Sequence, residues 1–284
     1  MRRAGDEAAS PQAAALQGVS RTLLVTLCAR ALARETFPNL GFTDPTAEAL
    51  IAALDIDPHA FARTRECVFG VARRSMILDE AVRTFADRHG EIAVLNLGAG
   101  LSSAFERLDD GRLAWWDLDL EAPIRLHGDL TAVHPRRTHV VASVDRPGWQ
   151  RALRLPARPL IVLAEGLMPY LTPPRVRALL TEIAAAFGDR PLTFAFDAFA
   201  FAMCGMAKMH PSIGPLARDD PSIEFRWGVS AMDDYRARLP MWRLAELTPI
   251  LEGLSPGHTL ACAGFSALFG VPLYAVARLE HQRV

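Results

Sequence analysis

The sequence predicts a doubly wound α/β fold built on a parallel sheet, and three observations carry that prediction. Five short apolar runs, 92–97, 113–117, 139–143, 160–164 and 192–197, recur roughly twenty to thirty residues apart. Each run is continuous rather than alternating, as strands buried on both faces are, and helical or mixed segments lie between them. The first run leads directly into Gly98 and Gly100, placed where a strand of such a sheet hands over to the next segment.

In chain order, residues 1–17 are rich in Ala, Gln and charge and are expected to be mobile. From Ser20 to about Glu35 the apolar residues recur at helical spacing. "DPTAEALIAAL" opens a second helix, with Asp44 as cap and Pro45 at the first helical position. "SMILDEAVRTFADRHG" reads as a third, with Ile77, Ala81 and Phe85 on one face and Gly90 as the stop. Residues 18–90 are therefore expected to form a helical cap, and 91–197 the sheet core, with "TPPRVRALLTEIAAAFG" its clearest helix. Beyond Asp197 the chain is Met- and Phe-rich, then loop-like, and 198–240 reads as an insertion covering the crevice. "MWRLAEL" and "VPLYAVARL" read as closing strands within 241–284, so 18–284 is expected to be a single domain.

The bulk numbers exclude several classes. A net charge of −1 gives no basic excess for nucleic acid or an anionic membrane. The four cysteines form no C-x-x-C pair and suit reduced thiols in a cytoplasmic protein. "TLLVTLCA" is too short to span a bilayer, and Asp6 and Glu7 ahead of it argue against a signal peptide.

In an open α/β sheet, ligands bind outside the carboxyl ends of the strands, which places Gly98 and Gly100 at the crevice and Asp117 and Asp119 next door. An acid there can accept both hydroxyls of a ribose. No G-x-x-x-x-G-K-[ST] string exists, so a P-loop is excluded. A dinucleotide fingerprint needs a third glycine where Ser103 stands. A two-glycine loop followed by an acid ending the next strand suits S-adenosylmethionine, which has no pyrophosphate. A nicotinamide enzyme, or a tight turn without a ligand, remains the alternative. Glu165 closes the fourth run, where a buried carboxylate requires a partner.

"NLGAGLSSAFERL", "WWDLDLEAP" and "LAEGLMPYL", in that order, resemble the leucine carboxyl methyltransferase family, most of all its bacterial branch of tetracenomycin-type polyketide O-methyltransferases. "FTDPTAEAL", "ARRSMILDEAV", "SVDRPGW" and "FRWGVS" support the likeness, which runs from about Arg21 to Leu279. The resemblance implies a Rossmann-like class I methyltransferase fold: a seven-stranded, mostly parallel sheet with one antiparallel strand. It implies S-adenosylmethionine, with Gly98 and Gly100 against its amino-acid part, Asp119 on the ribose and Asp117 a neighbouring acid. Glu165 would pair with the α-amino group, and Arg74, or Arg73 beside it, with the carboxylate. At the adenine end, Ser143 and Val144, with Asp145 next, replace the Asp-Leu of the leucine carboxyl methyltransferases proper. Arg30 and Tyr170 fall on the substrate side.

His59, His89, His127, His134 and His139 are expected to be solvated, and no histidine has metal-ligand spacing, so no metal is expected. Tyr170, His210 and Asp197 are the candidate catalytic groups, His210 as a base. Arg226, with Arg30, is a candidate for orienting an anionic acceptor. The expected acceptor is a carboxylate on a hydrophobic small molecule or peptide-derived natural product, methylated to an ester without a general base. The alternatives are a phenol or hydroxyl of a polyketide, and a non-catalytic nucleoside-binding protein of the same fold. The oligomeric state is left open.

Overall fold

The structure, a computed structural model, describes residues 16–282. Most of the segment expected to be mobile thus lies outside the described residues; Leu16, at its end, is buried against the cap. Helix α1 (Leu23–Thr36) has apolar residues on nearly every side and is buried almost throughout. The Asp44 side chain accepts from Ala47 N and caps α2 (Pro45–Ala53), as expected. A single turn, α3 (Pro58–Phe61), precedes α4 (Arg65–His89). Helix α4 begins ten residues before the expected start at Ser75, because Thr64 accepts from Cys67 N and caps it there. It ends at Gly90, whose φ of 78° is left-handed.

The seven strands are β1 (Ile92–Leu97), β2 (Leu113–Asp119), β3 (Arg137–Val141), β4 (Leu160–Ala164), β5 (Leu192–Phe199), β6 (Trp242–Pro249) and β7 (Tyr274–His281). They lie in the order β3-β2-β1-β4-β5-β7-β6, with β7 antiparallel to both neighbours and all other pairings parallel. The central strands β1 and β4 are buried along their whole length, which is why their bounds were readable from apolar runs alone. At the sheet edge, β3 is half-exposed and sits two residues earlier than the run 139–143, so Ser143 and Val144 fall in the loop beyond its end. The connecting helices are α5 (Ala104–Leu108), α6 (Glu121–Leu130) and α7 (Pro173–Phe187), with α8 (Gly214–Asp219) in the insertion. Between β6 and β7 lies α9 (Pro256–Phe269), a helix that the reading of 241–284 as strands alone missed.

Three apolar clusters organise the packing. One face of the sheet packs Leu179, Leu180 and Ile183 of α7 against Phe194 and Phe196. The other packs Leu78, Val82 and Phe85 of α4 against Val94, Trp115 and Ile161. The third joins the cap to the insertion, where Ile213, Leu216 and Phe225 pack with Leu27, Cys28 and Val71. Strand order reverses between β1 and β4, and the crevice at their carboxyl ends opens under this third cluster. No helix among the described residues is long and apolar enough to cross a membrane.

Candidate functional site

A cavity of about 250 Å³ lies outside the carboxyl ends of β1, β2 and β4. Gly98 and Gly100 line it with φ of 64° and 53°, a conformation that side chains disfavour. A Cβ on Gly98 would come within 3.1 Å of Leu167, and one on Gly100 within 3.2 Å of Leu23. The backbone therefore runs close beneath Leu167 and the first residue of α1, with the Gly98 and Ala99 amides both donating to the Leu118 carbonyl. Gly100 N donates to Asp119 Oδ2 at 2.8 Å, and Leu120 N to Oδ1 at 2.7 Å. No basic side chain pairs with Asp119 among the described residues, and burial pushes its pKa up. Its remaining lone pairs suit hydroxyl donors. Ser143, Val144 and Asp145 line the same cavity beyond β3.

Glu165 follows β4 and accepts from Arg74 Nε at 3.0 Å and Ser75 Oγ at 2.9 Å. Burial pushes its carboxyl up, but Arg74, Arg30 and Arg107, together with Ser75, outweigh that and hold it below the usual carboxylate range. Arg74 Nη1 also donates to Asp197 at 3.3 Å and to Tyr274 Oη at 2.8 Å. Tyr274 donates to Asp197 at 2.9 Å, and Gly166 N at 2.6 Å. Arg73 lines a separate groove with Glu80, so Arg74 is the arginine of this pair at the cavity.

Several expectations need correction. Arg30 lines the cavity, but its Nε is held by Asp44 at 3.0 Å and its Nη2 by the Leu101 carbonyl at 2.6 Å. It ties the cap to the glycine loop, lining this cavity rather than the apolar one beside it. Arg226 lines the same cavity from an exposed position and donates to the Ser222 carbonyl at 3.2 Å. Asp117 is fully buried rather than solvated; it accepts from Asn96 and Trp115 at 2.9 Å and from Arg137 at 2.7 Å. It acts through Asn96, a cavity residue the sequence reading passed over although it is the one polar group in "IAVLNL".

His127 is buried too, 3.0 Å from Arg137 Nη2, and His139 is half-buried within β3. His59 is exposed, as expected, whereas His89 and His134 are partly buried. Asp117, His127 and His139 bring ligand atoms within 4.8 Å of one another, a grouping their sequence spacing hides. The guanidinium of Arg137 already supplies the cation there.

A second cavity, of about 260 Å³, adjoins the first; Thr22, Thr26, Arg74, Gly166 and Tyr170 line both. Its other walls are mostly apolar, with Phe199, Met203, Ile213 and Phe225 among them. The insertion thus does contribute to the walls, as its position predicted. Burial pushes Tyr170 up to about 12, so the phenol stays protonated. His210 lines this cavity with its ring edge-on to Phe225, and its Nδ1 accepts from Ser212 N at 3.3 Å and Ile213 N at 3.2 Å. Burial pushes His210 down to about 4. Asp197 also reaches this cavity, with both oxygens already accepting hydrogen bonds. Ser75 and Tyr274 carried no signal in the sequence, since their roles arise from contacts 77 to 200 residues away.

Comparison with known proteins follows this geometry closely. The family model for leucine carboxyl methyltransferase matches residues 23–184. The tetracenomycin polyketide synthesis O-methyltransferase TcmP of Streptomyces glaucescens is 38% identical over 242 residues, covering 84% of this chain and 85% of that protein. The S-adenosyl-L-methionine-dependent methyltransferase dpfgK of Gibberella zeae is 32% identical over 190 residues, covering 61% of this chain and 63% of that one. Among solved structures, a duf574 family protein from Streptomyces avermitilis aligns with a TM-score of 0.50 at 12% identity, over 89% of this chain and 97% of that chain, a likeness of fold alone. The matched segment runs from the cap through the glycine loop, Asp119 and Glu165 to α7, and the chain belongs to the leucine carboxyl methyltransferase family.

Proposed function

We propose that this enzyme transfers a methyl group from S-adenosylmethionine to the carboxylate of a hydrophobic small-molecule or peptide-derived acceptor, forming a methyl ester. One observation supports it above the others. A cavity that carries the acids and the glycine loop suited to a nucleoside meets a second, mostly apolar cavity at Arg74 and Tyr170, and among the described residues no free base stands where they meet. S-adenosylmethionine is the cofactor, and the residues fit it. Asp119 has lone pairs for the ribose hydroxyls, and a Cβ at either glycine would crowd the cradle. Ser143, Val144 and Asp145 would meet the adenine. Glu165 would take the α-amino group, while Arg74 Nη2, to which no protein acceptor is assigned, is left for the cofactor carboxylate.

The cofactor supplies an already activated methyl group. A carboxylate oxygen forms the new C–O bond as the S–C bond breaks, the sulfonium becomes a neutral thioether, and no proton moves. The chain's own contribution is to hold nucleophile and methyl in line within a water-poor pocket. The cap and the insertion 198–240 would serve as its cover.

Two results test this. Asp119→Ala should weaken S-adenosylhomocysteine binding by about 1–3 kcal/mol in calorimetry without unfolding the domain, since among the described residues Asp119 accepts only from the Gly100 and Leu120 amides. Unchanged affinity would move the nucleoside elsewhere. The methylated product should hydrolyse in mild base and release methanol; a base-stable product would be an aryl ether and would replace the carboxylate by a phenol.

A further inference from the structure

We infer that His210 is a hydrogen-bond donor that selects the acceptor, holding one oxygen of its carboxylate through Nε2–H while the other oxygen attacks the methyl group. This rests on the carboxylate reading above and inverts the role of base that sequence position alone suggested.

The argument begins with the turn after the histidine. The Ser212 and Ile213 amides both point at Nδ1, at 3.3 and 3.2 Å. Two backbone N–H groups can only donate, so Nδ1 must be the unprotonated nitrogen. Burial keeps the ring neutral down to about pH 4, so its single proton sits on Nε2 at working pH. An imidazole in that tautomer offers the cavity a donor and has no lone pair there with which to take a proton.

The neighbouring groups act the same way. The Tyr170 phenol is held protonated up to about 12, and burial also pushes the Cys67 thiol up. Both line this cavity, as does Arg74, while Asp197 has its oxygens filled. Glu66, on the same wall, has a half-exposed side chain facing His258 at 3.9 Å. Among the described residues the inner wall is therefore donor-rich, and its two carboxylates are otherwise engaged: Asp197 by the hydrogen bonds it accepts and Glu66 by its outward pairing with His258.

A donor on the attacking oxygen would draw off the electron density it needs. A carboxylate escapes this because it has two oxygens: one is held and the other remains free. A phenolate has one, which His210 would weaken. The same hydrogen bond thus favours a carboxylate and disfavours a phenol.

The test uses two probes, 2-naphthoate and 2-naphthol, with enzyme saturated in S-adenosylhomocysteine. Nitrogen-15 NMR should show Nδ1 unprotonated and Nε2 protonated at pH 7, with the Nε2 signal shifting when 2-naphthoate is added. 2-Naphthoate should bind more tightly than 2-naphthol. In His210→Asn the amide oxygen can still accept from the turn but the reach of Nε2 is lost, and naphthoate affinity should fall tenfold or more, on the order of one charge-assisted hydrogen bond. In His210→Gln, whose amide nitrogen falls near the Nε2 position, most of that affinity should return. S-adenosylhomocysteine affinity should be the same in all three proteins. An unprotonated Nε2, or equal naphthoate affinity in wild type and His210→Asn, would overturn the donor role whichever probe binds. A protonated Nε2 with 2-naphthol preferred would instead overturn the carboxylate reading.

Discussion

Arg74→Leu should destabilise the fold by about 3–5 kcal/mol in urea denaturation and abolish methyl transfer, because it removes the one cation that, among the described residues, directly contacts both carboxylates of a buried pair. Arg74 is 5% exposed and donates to Glu165, Asp197 and Tyr274. Without it, the two acids keep only the more distant charges of Arg30 and Arg107 on Glu165, and protonation of the pair in the native state becomes easier. The loss should therefore be largest at neutral pH and shrink in acid. A carboxylate whose native pKa is raised binds a proton more readily folded than unfolded, so stability is regained as pH falls through that raised value.

The same geometry predicts an asymmetry. One guanidinium against two carboxylates leaves the cluster one negative charge in excess, an arrangement suited to a cofactor that brings an ammonium and a sulfonium. Asp197→Asn removes that excess and keeps its one oxygen for Gly166 N, while the amide nitrogen takes the place of the oxygen that accepts from Tyr274. It should cost far less stability than Arg74→Leu. A loss below about 1 kcal/mol for Arg74→Leu would mean that the pairing only breaks even with its desolvation.

What the sequence made legible follows from where its signals are local. Gly98, Gly100, Asp119 and Glu165 lie at the ends of strands, and the central strands are buried on both faces, so an apolar run with a polar residue after it marks the crevice directly. The half-exposed edge strand β3 gave a run displaced by two residues. Helix α9 carries no Asp, Glu, Lys or Arg and buries none of its side chains, so it has no polar face against which an apolar one stands out. Asp117, His127 and Arg30 were misread for another reason. Each is fixed by an arginine or aspartate ten or more residues away, and an exposed and a satisfied buried charge look alike in sequence. His210 does line the second cavity, but its tautomer depends on two amides of its own turn that residue type alone does not orient.

Buried His127 and partly buried His210 should also make the protein acid-sensitive well above the range in which the carboxylates held low titrate. Burial pushes His127 down to about 3, with the charge of Arg137 adding to it and Asp117 opposing it; His210 is pushed down to about 4. In the unfolded chain each imidazole titrates near 6.5. Between these values the unfolded state binds protons that the native state refuses, so stability falls as pH falls, by about 1.4 kcal/mol per pH unit for each fully engaged histidine. Integrated from pH 7 to pH 5, each contributes a loss of about 2 kcal/mol, or about 4 for the pair. Asp44, Asp117 and Glu165, all held below the usual carboxylate range, add to the loss only as pH falls through their own lowered values. Urea denaturation at pH 7 and pH 5 separates the contributions. His127→Gln leaves an amide oxygen to accept from Arg137 but cannot titrate, so it should lose only about half as much stability across that interval as the wild type does. Doubling it with His210→Gln should remove most of the remaining loss, leaving the smaller contributions of His139 and His89, whose values burial also lowers. Equal losses in the wild type and the double variant would show that both imidazoles are already protonated in the native state at pH 5, and the neutral Nε2–H donor at the acceptor cavity would fall with them.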